Sequence, residues 1–247
     1  MAVRAVLFDL DETLWSHGPL PENWNEITGL QMAELAPHAA RLRLEQIDLT
    51  EFIQRFWANW GAAILRPNPT LEEVKGAVIF QSTLAERGVE CNDADAEHLW
   101  QALHNVPFRH FNIRPFPDAI STLEALRAAG YRMAIVTSRP LPARILIREM
   151  RDQGIPDVFE SIVTSGDVGY RKPHPLVFET ALRRLGVQPE DAVVVGDSYE
   201  NDIVPAASLG IVPVLKLNDR EPDADWTLAR YQVPSLVAVL QLDLFGL

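Results

Sequence analysis

The amino-acid sequence predicts an α/β protein in which a doubly wound parallel sheet is interrupted by an inserted, all-helical segment. Three observations lead to this fold class. The run at residues 3–8 is apolar and rich in β-forming residues, as expected of a buried strand. From Pro115 onward, short apolar runs alternate with amphipathic stretches of helical length, which is the pattern of parallel βαβ units. The long region between these parts lacks strand alternation and carries apolar residues at helical spacing.

The part from Pro115 onward contains the remaining strands of the predicted sheet. We expect these strands at residues 132–138, 161–164, 192–196 and 211–215. Helices are predicted between them at residues 118–129, 142–153, 175–185 and 201–209, and a glycine directly follows each of the first three. With the N-terminal strand, these elements form a Rossmann-like core that we assign to residues 1–15 and 112–247.

The inserted segment, residues 16–111, is predicted to form a helical cap domain. Its expected helices cover residues 22–36, 50–64, 70–87 and 93–105, and Thr50 is a candidate N-cap of the second. We interpret its tryptophans as the cap's own core, because Trp57 and Trp60 share one helical face. The alternative is that some of them stack on a planar substrate such as a flavin or nucleobase. The tryptophans within or at the edge of the insert are Trp15, Trp24, Trp57, Trp60 and Trp100.

The composition argues against several classes of function. The 247-residue chain has a formal net charge of −12, a pI near 4.9 and no basic block, which argues against nucleic acid as its main partner. Cys91 is its only cysteine, so neither an intrachain disulfide nor a cysteine-rich metal site is expected. No run approaches the ~20 apolar residues of a membrane span, and the N-terminus lacks the shape of a signal peptide. We therefore expect a cytoplasmic protein with no membrane partner.

Two carboxylates, Asp9 and Asp11, directly follow the first strand. Open α/β sheets bind ligands at the carboxyl ends of their strands, and acids this close repel each other unless a metal ion or a proton neutralises them. A hard divalent cation such as Mg²⁺ suits oxygen ligands of this kind. Taken alone, the pair is more simply explained as a strand end followed by a turn. The assignment of a metal site therefore depends on the rest of the chain.

Three further polar clusters follow predicted strands whose carboxyl ends converge on one crevice in such a sheet. They contain Thr137 and Ser138, then Lys172, and finally Asp197 and Asp202. Carboxylates, hydroxyls and a lysine are the groups used in metal-assisted phosphoryl transfer. Each residue also has a purely structural explanation, as a strand residue, an exposed turn residue, an Asx-turn or a helix N-terminal acid. Their occurrence together favours the functional explanation.

The order of these motifs resembles that of the haloacid dehalogenase-like (HAD) hydrolases, in particular their Mg²⁺-dependent phosphatases with a helical (C1-type) cap. The motifs are DLDET at residues 9–13, Thr-Ser at 137–138, RKPHP at 171–175 and GDSYEND at 196–202. The resemblance covers the core from end to end, whereas the insert matches the family's cap only in position and helical character. It implies hydrolysis of a small phosphorylated metabolite with Mg²⁺ as the cofactor.

The resemblance also implies the catalytic roles. Asp9 would be the nucleophile that attacks phosphorus and forms an aspartyl-phosphate. Asp11 would protonate the leaving group and later deprotonate the attacking water, for which its pKa would have to be raised. Thr137, helped by the Ser138 backbone amide, would bind the transferring phosphoryl group, and Lys172 would balance its charge.

The implied metal ligands come from both ends of the core. The Asp9 and Asp197 carboxylates and the Asp11 main-chain carbonyl would hold Mg²⁺, and Asp202 would orient ligands or a metal-bound water. Arg139 is assigned either to the substrate or to a surface ion pair.

The sequence leaves other functions open. A 2-haloacid dehalogenase on the same fold uses an Asp nucleophile without a metal, although that subgroup generally lacks a counterpart of Asp11. A phosphomutase would transfer phosphate within a bound sugar phosphate, and a non-catalytic binding module would retain the fold alone. The sequence does not identify the substrate and does not distinguish a monomer from a homodimer.

Overall fold

The computed structural model describes residues 3–19, 21–38, 42 and 44–246. The chain divides into two compact units. The first unit comprises Met1–Gly18, Leu71–Glu73 and Ile113–Leu247, and the second comprises Pro19–Thr70 and Val74–Asn112. Leu71–Glu73, a short stretch from the middle of the predicted insert, thus belongs to the first unit.

The first unit is built on a six-stranded sheet with the order β5-β4-β1-β6-β7-β8, in which all neighbouring strands are parallel. Two further strands, β2 and β3, pair antiparallel with each other as a separate ribbon. The predicted fold class, a doubly wound parallel sheet in a Rossmann-like core, is confirmed. The strands are β1 (Ala5–Phe8), β2 (Trp15–His17), β3 (Ile113–Pro115), β4 (Arg132–Thr137), β5 (Ser161–Thr164), β6 (Ala192–Gly196), β7 (Val212–Lys216) and β8 (Tyr231–Val233).

Strand β1 lies at the centre of this sheet and is completely buried. Its Leu7 is in register with Ala134 of β4 on one side and Val194 of β6 on the other. The next strands along the chain, β4 and β5, lie on one side of β1, and β6 to β8 lie on the other. Strand order therefore reverses at β1, and this is the position where open α/β sheets bind ligands beyond the carboxyl ends of their strands.

The second unit is helical in its described residues. Its helices are α1 (Trp24–Leu35), α2 (Leu49–Ile64), α3 (Gly76–Ala85) and α4 (Asp93–Leu103). Asp48, rather than the expected Thr50, caps α2, and its carboxylate accepts hydrogen bonds from the Thr50 and Glu51 amides at 2.8 and 3.1 Å. The helix predicted at 70–87 begins only at Gly76 because the preceding residues leave this unit.

Aromatic packing holds the second unit together. The Phe56 ring lies 5.1 Å from Trp57 and 5.6 Å from Trp100, and the rings of Trp60 and Trp100 are 4.8 Å apart. A Cβ on Gly76 would lie 2.3 Å from the Trp100 ring, so α3 and α4 approach closely only because this residue is glycine. Trp60 and Trp100 are buried in this core, as predicted, and Trp57 is half-buried beside them. The same interpretation is wrong for Trp24, which is 47% exposed.

Helices alternate with the strands of the first unit. They are α5 (Ala119–Ala128), α6 (Ala143–Asp152), α7 (Ser165–Val168), α8 (Leu176–Leu185) and α9 (Val204–Leu209). Val177, Phe178 and Ala181 of α8 pack on alternate residues of the strands, including Leu7 and Val194, and are completely buried. This packing is the side-chain alternation expected of a sheet covered by a helix.

Two parts of the first unit differ from the sequence prediction. The borders between the predicted core and insert contain β2 and β3, and neither these strands nor β8 were predicted. Strand β8 has only three residues, which is too short for an alternating apolar pattern to be recognised. Within the described residues, no helix is long and apolar enough to cross a membrane.

Candidate active site

A buried lysine joins two carboxylates at the carboxyl edge of the sheet. Asp9 follows β1 directly, and its amide donates to the Val195 carbonyl of β6 at 2.9 Å, which places it between the two strands. Lys172 Nζ lies 2.5 Å from Asp9 Oδ1 and 2.6 Å from Asp202 Oδ1. The side chains of all three are at most 7% exposed. One ammonium group is therefore shared by two carboxylates that belong to different loops.

Asp197 completes a group of three carboxylates. Carboxylate oxygens of Asp9, Asp197 and Asp202 all lie within 4.8 Å of one another. Gly196 makes this possible, since a Cβ at that position would lie 2.4 Å from Asp202 Cγ. Asp202 Oδ2 also accepts the Ser198 amide at 3.1 Å. An all-oxygen donor set of this kind fits a hard divalent cation such as Mg²⁺.

The three carboxylates of this cluster are only partly neutralised by the single ammonium group of Lys172. Burial raises the pKa of Asp9 to about 7 despite Lys172, and burial together with the Asp9 charge raises that of Asp197 to about 6. Burial also raises the pKa of Asp202. Burial alone would lower the pKa of Lys172, but the charges of Asp202 and Asp9 hold it above its ordinary value. A bound cation would favour the ionised form of every carboxylate here.

Asp11 lies in a different environment from Asp9. The Arg139 guanidinium forms an ion pair with its carboxylate, and Arg139 Nε lies 2.9 Å from Oδ2. The Trp15 indole donates to Oδ1 at 2.9 Å, and His17 Nε2 lies 2.8 Å from the same atom. Within the described residues, the group of neighbouring carboxylates comprises Asp9, Asp197 and Asp202 and does not include Asp11. The Asp11 side chain instead pairs with the Arg139 cation.

The pKa of Asp11 is lowered in this arrangement. Burial acts to raise it, but the Arg139 charge and the hydrogen bonds from His17, Arg139 and Trp15 hold the pKa well below its usual range. The expectation of a raised pKa for Asp11 is therefore wrong for this conformation. The sequence could not reveal the reason, because Arg139 is 128 residues away along the chain.

Thr137 and Ser138 lie at the carboxyl end of β4, next to β1. Thr137 is completely buried, and its Oγ1 has no hydrogen-bond partner in the part of the chain that the structure describes. The Ser138 hydroxyl accepts the Lys172 amide at 3.0 Å, so it holds the backbone of the lysine in place. A buried hydroxyl without a partner is suited to a polar ligand group.

Sequence reasoning did not assign several residues that the structure brings to this site. Trp15 and His17 contact Asp11, although Trp15 was interpreted as cap core and His17 was not assigned a role. Lys216, at the end of β7, is buried beside the loop that carries Asp9 and Asp11 and was not singled out. No local spacing marks these residues, since they meet the site through the sheet and the β2–β3 ribbon.

Comparison with known proteins identifies the family. A family model described as haloacid dehalogenase-like hydrolase matches residues 3–210. The glyceraldehyde 3-phosphate phosphatase of Methanopyrus kandleri is 31% identical over 237 residues, which cover 94% of this chain and 93% of that protein. The phosphoglycolate phosphatase of Salmonella typhimurium is 30% identical, with 84% and 79% covered. This chain belongs to the haloacid dehalogenase-like hydrolases.

Solved structures agree with this assignment. A HAD phosphatase from Thermococcus onnurineus has a TM-score of 0.62 and 26% identity, with 97% of both chains covered. A 2-haloacid dehalogenase from Pseudomonas syringae pv. Tomato has a TM-score of 0.65 at 23% identity, also with 97% of both chains covered. At this identity the second likeness concerns the fold alone.

Proposed function

We propose that this chain is a Mg²⁺-dependent phosphatase that hydrolyses a small phosphomonoester through an aspartyl-phosphate on Asp9. The observation that carries the proposal is the shared ammonium of Lys172 between Asp9 and Asp202, with Asp197 within 4.8 Å. Membership of the hydrolase family and the phosphatase names of the two relatives support the same reaction class. The cluster places a carboxylate nucleophile beside a buried ammonium group in a net acidic protein.

The first half of the reaction forms a bond between Asp9 Oδ and phosphorus. The ester bond to the leaving oxygen breaks, and the leaving group takes a proton from Asp11. Lys172 favours the ionised form of Asp9 and offsets the charge that builds up as the carboxylate approaches the phosphoryl oxygens. The Thr137 hydroxyl donates a hydrogen bond to one of those oxygens, which gives this buried group its partner.

The second half regenerates Asp9. Water attacks phosphorus, its proton passes to Asp11, and the bond between phosphorus and Asp9 Oδ breaks to release inorganic phosphate. Because the Arg139 ion pair favours the ionised carboxylate, Asp11 has to leave this pair before it can carry the proton that the two halves of the reaction exchange. The Asp11–Arg139 contact is thus a resting arrangement that opens during turnover.

Asp9, Asp197 and the Asp11 main-chain carbonyl would hold the metal. When bound, Mg²⁺ supplies positive charge that lets an anionic nucleophile approach a phosphate dianion. Asp202 keeps Lys172 in position and accepts the Ser198 amide, and it thereby orients the loop that carries Asp197.

The test is phosphate release from p-nitrophenyl phosphate, glyceraldehyde 3-phosphate and phosphoglycolate, with Mg²⁺ or with EDTA. Wild type should require the metal, and Asp9→Asn should lose turnover by a factor on the order of a thousand. Asp152→Asn, at the exposed end of α6, is the matched control and should behave as wild type. Equal turnover by Asp9→Asn would overturn the nucleophile assignment. Metal-independent halide release from a 2-haloacid would instead identify a dehalogenase.

A further inference from the structure

Lys216 is a buried cation for which the proposed reaction has no use. It ends β7, its residue is 1% exposed, and its Nζ lies 3.3 Å from the centroid of the Phe116 ring. The ammonium donates to the Glu12 carbonyl at 3.1 Å and to the Asn218 side-chain carbonyl. These oxygen partners are neutral. A buried lysine is seldom placed among neutral groups for stability, because such partners offset little of the cost of desolvating its charge.

The group that Lys216 holds is next to the catalytic carboxylates. Glu12 directly follows Asp11 and has a φ of 58°, a left-handed backbone conformation that is strained for a residue other than glycine. Asn218 Nδ2 also donates to the Glu12 carbonyl, at 3.0 Å. Two side chains, one at the end of β7 and one just after it, therefore hold the peptide at which the chain turns after Asp9 and Asp11.

The segment that follows β7 also contacts the loop that carries Asp197. Arg220 Nη2 donates to the Asp197 carbonyl at 2.5 Å and to the Lys216 carbonyl at 2.8 Å. Its guanidinium lies 5.5 Å from the Trp226 ring. The Arg220 charge also opposes the burial that raises the pKa of Asp197. Residues 216–220, named here the β7 turn, thus contact both catalytic loops through main-chain carbonyls.

We infer that the β7 turn is a positioning clamp that holds the Asp9–Asp11 loop and the Asp197 loop at the separation required for catalysis. Lys216 and Asn218 act on the first loop, and Arg220 acts on the second. The inference rests on the proposed roles of Asp9, Asp11 and Asp197. It assigns a function to a part of the chain that follows the recognisable motifs and the residues matched by the family model.

Three variants separate positioning from folding. Lys216→Met keeps the length and burial of the side chain but removes its donor, while Asn218 still supplies one hydrogen bond to Glu12. Asn218→Gly removes the other donor and tolerates the φ of 54° at that position. Arg220→Met removes the contact with the Asp197 loop. Arg230→Met, at an exposed position just before β8, is the control for loss of an arginine.

The measurements are kcat and KM for p-nitrophenyl phosphate, the thermal midpoint, and amide hydrogen exchange at residues 9–15 and 196–203. For Lys216→Met and Asn218→Gly we expect kcat to fall about tenfold with little change in KM, because small displacements of catalytic groups lower the rate of the chemical step. Exchange should quicken at residues 9–15 in these two variants, and at 196–203 in Arg220→Met. Lys216→Met should melt no lower than wild type, because a poorly neutralised buried charge is removed.

Direct Mg²⁺ titration by calorimetry provides a readout that does not depend on turnover. Arg220→Met should weaken Mg²⁺ binding by a factor of about ten, the lower end of the range for residues that orient ligands. Wild-type kcat and exchange in the Lys216 and Asn218 variants would overturn the inference. So would activity losses that merely follow a lowered melting temperature, because the turn would then be structural. If wild type releases no phosphate, the proposed function fails, while loop exchange still tests the clamp.

Discussion

Two lysines are buried at the same edge of the sheet, and their environments differ. Lys172 lies between the carboxylates of Asp9 and Asp202, whereas Lys216 donates hydrogen bonds to two neutral oxygens beside an aromatic ring. The charges of Asp118, Asp197 and Glu12 act on Lys216 only as an opposition to the effect of its burial. Burial lowers the pKa of both ammonium groups. At Lys172 the two carboxylate charges reverse that effect and raise the pKa, whereas at Lys216 burial prevails and lowers it to about 8.

The difference shows that the partners of a buried cation, rather than its depth, indicate what the cation does. A lysine between carboxylates neutralises charge, which a reaction between two anions requires. A lysine on neutral carbonyls contributes geometry, because its hydrogen bonds fix the backbone that they reach. The four predictions below test this contrast, from the largest expected effect to the smallest.

Replacement of Lys172 should have the largest effect. Lys172→Met leaves Asp9 and Asp202 buried without a counter-ion, so we expect kcat to fall by a factor on the order of a thousand. The free energy of unfolding in EDTA should fall by about 3–5 kcal/mol, the range for breaking one partner out of a buried pair. Phosphate release and urea unfolding measure the two effects. Lys75→Met, at the exposed third lysine, is the control and should change neither.

Asp202→Asn should have the next largest effect, since it removes one carboxylate from Lys172 while preserving the shape of the side chain. The amide cannot accept from both Lys172 and the Ser198 amide as the carboxylate does. We expect the Mg²⁺ concentration for half-maximal phosphate release to rise about 10- to 100-fold. Asp191→Asn, directly before β6, serves as the control. An unchanged metal requirement would contradict a role for Asp202 in orienting the site.

Asp197→Asn should change the pH dependence of stability in EDTA. Because the folded pKa of about 6 lies above the ordinary 3.8, the folded state retains the proton longer than the unfolded state. The stabilising contribution is complete below pH 3.8 and is lost as pH rises through 6. The variant cannot lose stability through this titration, so its urea midpoint at pH 7.5 should lie at a higher concentration than that of wild type. The difference between the two midpoints should shrink toward pH 4. A difference that grows toward acid pH would contradict the assignment.

Lys216 should give the smallest effect, with the opposite sign. Its folded pKa of about 8 lies below the ordinary 10.5, so the unfolded state holds the proton longer between these values. The free energy of unfolding of the wild type should therefore rise relative to that of Lys216→Met as pH increases from 8 to 10.5. Below pH 8 the variant should remain the more stable of the two proteins. Urea unfolding at pH 7, 9 and 10.5 measures this. If the difference in stability between the two proteins stays constant over that pH range, Lys216 is solvated in the folded state.

The sequence was sufficient to predict most of the fold. Strands 161–164 and 192–196 have the predicted bounds, because each apolar run is bounded by polar or glycine residues. The strand predicted at 132–138 ends one residue earlier, and the strand predicted at 211–215 is shifted by one residue. The strand predictions failed where short segments pair with partners that are distant in the sequence. Strand β8 and the β2–β3 ribbon are three residues long, and residues 71–73 pair with 169–171, with Glu73 N donating to the Gly169 carbonyl at 2.8 Å.

The members of the site were also predictable, but their electrostatics were not. Asp9, Lys172, Asp197 and Asp202 were singled out by motif order, and they lie together at one sheet edge. The state of Asp11 could not be anticipated, since the arginine that pairs with it follows a different strand. Nothing in the spacing of Asp9 and Asp11 indicates that one faces a lysine and the other an arginine.

The sequence by itself determined the sheet, the helical insert and the residues that end the strands, because hydrophobic periodicity and strand-end motifs are local properties of a chain. Only the tertiary structure decided how those residues are charged and held. Asp9 meets Lys172 across 163 positions, and Glu12 meets Lys216 across 204. A pKa or the orientation of a loop depends on such distant partners, whose identity becomes fixed only when parallel strands bring their carboxyl ends together.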